Sequence, residues 1–103
     1  MGNTDTITDV MFRVSLNDPT DVYALFPGEA GTLDWRTCMS YQHVGQHSSA
    51  DYAKCIRASR PATPEEYASL RRELESAPYH YALDVVQRGR QRHIAARQRQ
   101  VAR

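Results

Sequence analysis

Val10-Met11-Phe12-Arg13-Val14-Ser15-Leu16 sets Val10, Phe12, Val14 and Leu16 on one side of the chain and Met11, Arg13 and Ser15 on the other. That period of two predicts a half-buried strand. Asn17-Asp18-Pro19-Thr20 follows as a turn, with proline fixing one backbone angle and Asn and Asp able to bond locally. Val22 to Phe26 then reads as a second strand, so the chain opens on an antiparallel hairpin closed off by Pro27-Gly28.

Beyond the hairpin, Gly28 to Asp34 reads as loop, and Trp35 with Thr37 to Tyr41 supplies a short third strand. His43 to Ser49 is polar and contains Gly45, the pattern of a structured loop, after which Ser49 caps a short helix to Ala58 that buries Tyr52, Cys55 and Ile56. The firmest local signal is Thr63-Pro64-Glu65-Glu66, an N-cap threonine followed by proline at the first helical position and glutamate three after the cap. Tyr67, Leu70 and Leu74 form the apolar stripe of that helix, and Pro78 stops it. Tyr81 to Val86 alternates again and returns to the sheet. The expectation is an α+β fold, β-β-(β)-α-α-β, with a small antiparallel sheet packed on one main helix. Residues 1–9 form a flexible N-terminus, 10–87 a single domain and 88–103 an arginine-rich tail, helical or disordered.

Charge divides along the same line. Of 13 basic residues, six arginines (Arg88, Arg90, Arg92, Arg97, Arg99 and Arg103) lie after position 87, leaving seven against all 12 acids before it. An acidic body with a basic arm speaks of partners rather than of fold. The arm has no aromatic residue to stack on a base, so nucleic acid bound there would be held by phosphate contacts with little sequence preference. Two cysteines are too few for a disulfide-built scaffold, and no apolar run is long enough to span a bilayer. With no basic-then-apolar leader at the start, a cytoplasmic protein without a membrane partner is expected.

Cys38, His43, His47 and Cys55 are residue types that ligate zinc, and four such groups can close a tetrahedral structural site. Their spacing, C-x4-H-x3-H-x7-C, is not a common zinc-finger arrangement. The opposing reading makes the cysteines small core residues and the histidines anchors of a loop, His43, Gln46, His47 and Ser48, of open role. No nucleophile elbow, phosphate loop or paired-carboxylate motif accompanies His47-Ser48 or Cys38, so no enzyme is expected, and zinc is the single candidate cofactor.

Two runs, His43-Val44-Gly45-Gln46-His47-Ser48 and Arg60-Pro61-Ala62-Thr63-Pro64-Glu65-Glu66-Tyr67, stand in order after Val22-Tyr23-Ala24-Leu25-Phe26-Pro27. Together they resemble a family of small uncharacterised proteins of bacterial phages and integrative elements, over residues 10 to 86. The Ala24-Leu25-Phe26-Pro27 hairpin end is also similar to antitoxins of the HicB type. The phage resemblance implies a non-enzymatic mobile-element accessory protein that binds a host protein or ribonucleoprotein complex, as an inhibitor of host defence (anti-CRISPR-like) would. The alternative from the residues alone is a zinc-stabilised regulatory or nucleic-acid-binding domain. The sequence leaves the oligomeric state open.

Overall fold

The computed structural model describes residues 7–43 and 46–102. The hairpin forms as its alternation predicts: β1 (Thr8–Ser15) pairs antiparallel with β2 (Asp18–Phe26), Phe12 opposite Ala24 and Val14 opposite Val22. The turn is tighter than predicted, and the register shifts between Val14 and Ser15, so Leu16 leaves the buried face and stands 62% exposed. Pro19 falls inside β2, where it is tolerated because the next strand pairs only with Ala24 to Phe26. That strand, β3, spans Thr37–Tyr41 as expected, while Trp35, expected to join it, lies in the turn before it.

The predicted His43–Ser49 loop is corrected next. His47 and Ser48 belong to a strand, β4 (His47–Asp51), antiparallel to β3, and the connection shrinks to a hairpin turn. Ser49 is therefore not a helix cap. Asp51 caps α1 (Tyr52–Arg57) instead, its carboxylate accepting the Lys54 N–H at 3.1 Å. A three-residue strand, β5 (Ser59–Pro61), then pairs antiparallel with Arg13 to Ser15. The capping box at Thr63 forms in both directions and opens α2 (Pro64–Glu75): Thr63 Oγ1 accepts the Glu66 N–H at 3.3 Å, and Glu66 Oε1 accepts the Thr63 N–H at 2.9 Å. The Arg60 guanidinium hydrogen-bonded to Glu66 holds that carboxyl down at about 2.

The last strand, β6 (Leu83–Val85), returns to the sheet parallel to β1, the exception to an otherwise antiparallel arrangement. It takes the Thr8–Val10 end of the β1 edge, and β5 takes the Arg13–Ser15 end. The strand order is β4-β3-β2-β1-β5, with β6 beside β1. Central position changes the character of β1. Met11 and Arg13 are buried as well as Val10, Phe12 and Val14, so the strand is covered on both faces rather than half-buried. One face packs Phe12, Val14, Phe26 and Tyr41 against Tyr67, Leu70 and Leu74 of α2. The other gathers Met11, Leu25 and Cys38 under Tyr52, Cys55 and Ile56 of α1.

The tail is helical: α3 spans Gln91–Val101. Thr8 and Asp9, placed by the sequence in a flexible start, lie in β1, and residues 1–6 lie outside the described residues.

Candidate functional site

Helix α3 has too few apolar residues to dock by a hydrophobic stripe, and it docks by a polar one. His93, Arg97 and Gln100 recur at i, i+4 and i+7, the spacing that puts three side chains on one helical face. His93 is 3% exposed and Arg97 is 2% exposed. The His93 ring works in both directions. Its Nδ1 accepts the Arg90 backbone N–H at 3.0 Å, capping the helix start, which places the ring proton on Nε2, 2.7 Å from Asp9 Oδ2. Arg97 Nε donates to the Trp35 carbonyl at 2.7 Å, Nη1 donates to the Pro27 carbonyl, and the guanidinium lies 4.9 Å from the centre of the Tyr52 ring. Gln100 donates to the Gly28 carbonyl at 2.8 Å and accepts the Ala30 N–H at 2.7 Å. The loop after β2 is thus satisfied by the tail.

The six tail arginines separate accordingly. Arg97 is a structural peg, its Nε and Nη1 donating to one part-buried and one buried loop carbonyl. Arg92 pairs with Asp9 at 2.9 Å while remaining largely exposed. Arg88, Arg90 and Arg99 are exposed and have no ion-pair partner among the described residues. Arg103 lies outside the described residues. Arg92 and Arg99, seven apart, share one stripe of α3 about 10 Å apart along the axis. They border a cavity of about 360 Å³ that also takes in Asp9, Gly28 and Glu29. Burial pushes the Glu29 carboxyl up, which favours its uncharged form at that spot. Arg88 and Arg90 flank Gly89, where a Cβ would stand 2.2 Å from the Tyr52 hydroxyl oxygen, so any larger residue there would have to displace the Tyr52 ring.

The four candidate zinc ligands do not converge. The β3–β4 register sets Cys38 opposite Ala50 and Tyr41 opposite His47, on opposite faces of the sheet. Cys38 sits with Cys55 on the α1 side, and burial pushes its thiol up to about 12 and raises that of Cys55 as well. His47 lies on the α2 side, its ring centre 4.5 Å from that of Tyr41 and 5.1 Å from that of Tyr79, and loss of solvent lowers its pKa. Phe26 and Tyr81 complete this aromatic shell. His43 stays exposed in the turn, its Nδ1 2.9 Å from Glu73 Oε1, while the Tyr41 hydroxyl donates to Glu73 Oε2. Among the described residues no group of three His, Cys, Asp or Glu side chains is placed to hold a metal. Gln46 shapes the turn, its N–H donating to the His43 carbonyl, and Ser48 Oγ lies 3.0 Å from Ser40 Oγ.

Sequence reasoning did not find Asp9, His93 and Gln100 as a docking set. A search for polar residues at helical spacing in the tail would have found His93, Arg97 and Gln100, but nothing local points to Asp9, 84 residues away from His93. Comparison with protein-family models, with curated proteins and with solved structures finds no match to this chain. No helix among the described residues is long and apolar enough to cross a membrane.

Proposed function

We propose that this chain is a non-enzymatic binding protein that engages the phosphates of a nucleic acid, free or within a host ribonucleoprotein, through Arg88, Arg90, Arg92 and Arg99. The observation that carries the reading is the division of labour in the tail. Two buried side chains, His93 and Arg97, fix the helix, and among the described residues the exposed arginines meet no acid except Asp9 at Arg92. Arg92 and Arg99 on an ordered helix, and Arg88 and Arg90 just before its start, lose less freedom on binding than the same residues on a mobile arm, so each phosphate contact returns more affinity. In the mobile-element setting implied by the resemblance, a nucleic-acid-bearing host complex is the partner with that chemistry.

The test uses a fluorescent mixed-sequence duplex and the full chain at low salt. Replacing Arg88, Arg90 and Arg99 together by glutamine should weaken binding by at least about tenfold, since each lost phosphate contact removes an electrostatic increment, and the melting temperature should not move. Equal affinity for variant and parent, or no binding by the parent to duplex or single strand, overturns the proposal.

A further inference from the structure

The end of the sheet at β4 carries a second surface. β4 is the last strand in the order, and among the described residues nothing pairs with its outer side. Two hydrogen bonds beyond the strand ends fix which backbone groups face outward. Tyr52 N–H donates to the Arg36 carbonyl at 3.2 Å, and Gln42 N–H donates to the Gln46 carbonyl at 3.2 Å. Hydrogen-bonded pairs alternate along an antiparallel ladder, so Cys38/Ala50 and Ser40/Ser48 are the bonded pairs between them. The peptide groups of Ser48 and Ala50 therefore point into β3, and those of His47, Ser49 and Asp51 point away from the sheet.

An open edge of this kind is a template for another strand, and proteins usually blunt it with proline, lysine, a bulge or brevity. The opposite side of the sheet does so, ending in the three-residue strands β5, which contains Pro61, and β6. His47-Ser48-Ser49-Ala50-Asp51 has no proline and no lysine, and its register with β3 runs unbroken.

We infer that β4 pairs antiparallel with β4 of a second copy of this chain, about a two-fold axis at Ser49. The register follows from the strand itself. With the axis at Ser49, both serines present outward peptide groups and exchange two N–H···O bonds. Each Asp51 N–H then meets the His47 carbonyl of the other copy. The same register sets the His47 imidazole of one copy across from the Asp51 carboxylate of the other, twice, on one face of the sheet. An axis at Asp51 sets two carboxylates opposite each other, which is unfavourable, and an axis at His47 carries the rest of β4 past the end of β4 in the other copy. An axis at Ser48 or Ala50 also joins outward peptide groups, His47 with Ser49 or Ser49 with Asp51, but makes two such pairs within the strand where the axis at Ser49 makes three.

The test is sedimentation of the full chain from low to high micromolar concentration, with residue-resolved amide hydrogen exchange on the same samples. A dimer is expected, in which the Ser49 and Asp51 amides are protected at high concentration and exchange faster on dilution, while Ser48 and Ala50 stay protected throughout. Ser49→Pro removes the central outward N–H without touching the β3 ladder and should leave a folded monomer; should that variant unfold, the exchange pattern of the parent decides. A monomer at every concentration overturns the inference. So does a dimer whose Ser49 and Asp51 amides remain fast, a dimer that persists in folded Ser49→Pro, or protection of those amides only on adding a strand from another protein.

Discussion

Arg97 and Arg99 are two residues apart in one helix and do opposite things. Arg97 satisfies two loop carbonyls inside the fold, and Arg99 reaches solvent. Arg97→Ala should cost about 2–3 kcal/mol, the scale of leaving buried polar groups unpaired, while Arg99→Ala should stay within about 0.5 kcal/mol of the parent. Thermal or urea melts of the two variants check this, and equal stability would mean that the tail is not docked through Arg97. His47 gives a pH signature. Its folded pKa lies below the unfolded value of 6.5, so the unfolded chain binds the extra proton first. The contribution of neutral His47 is complete above 6.5 and is lost as pH falls from there through the folded pKa. Melting temperature should therefore fall more steeply between neutral and mildly acidic pH in the parent than in His47→Phe. Parallel curves for the two would remove His47 from that role.

At the scale of elements, the Thr63 capping box is the feature most directly legible in sequence. Its loss in Thr63→Ala should cost about 1 kcal/mol, measured by chemical denaturation, without changing nucleic-acid affinity. The β1–β2 hairpin, β3 and the apolar stripe of α2 were legible for the same reason: each carries its own period and its own punctuation. β4 and β5 were not. His47-Ser48-Ser49-Ala50-Asp51 has a single apolar residue, and Ser59-Arg60-Pro61 has none outside proline. They are strands because β3 and β1 present unpaired backbone to them, and tertiary pairing overrides propensity. The outward arginines could be named from composition, but the role of Arg97 could not, because a buried arginine answers to distant carbonyls at Pro27 and Trp35. α3 inherits this non-local character. Ending the chain after Gln87, which by sequence alone should leave the fold intact, should instead lower the melting temperature. It uncovers Tyr52 and strips the loop carbonyls of Pro27, Gly28 and Trp35 of their donors. An unchanged melt of the truncated chain would contradict that.

For the whole molecule, the folding of a basic tail onto an acidic body does not cancel their charges. Among the described residues the polar contacts between them run through Asp9 with His93 and Arg92, through backbone groups of the loop after β2 and through the Tyr52 ring, so Arg88, Arg90 and Arg99 remain uncommitted there. The salt dependence of binding tests that account most directly. The logarithm of the duplex affinity should fall with the logarithm of salt concentration at about −0.9 per phosphate contact. The four outward arginines therefore give a slope of roughly −3 to −4, and each arginine replaced by glutamine should make it shallower by about one. A slope near zero, or one that the arginine replacements leave unchanged, would contradict the assignment of this helix as the phosphate-binding surface.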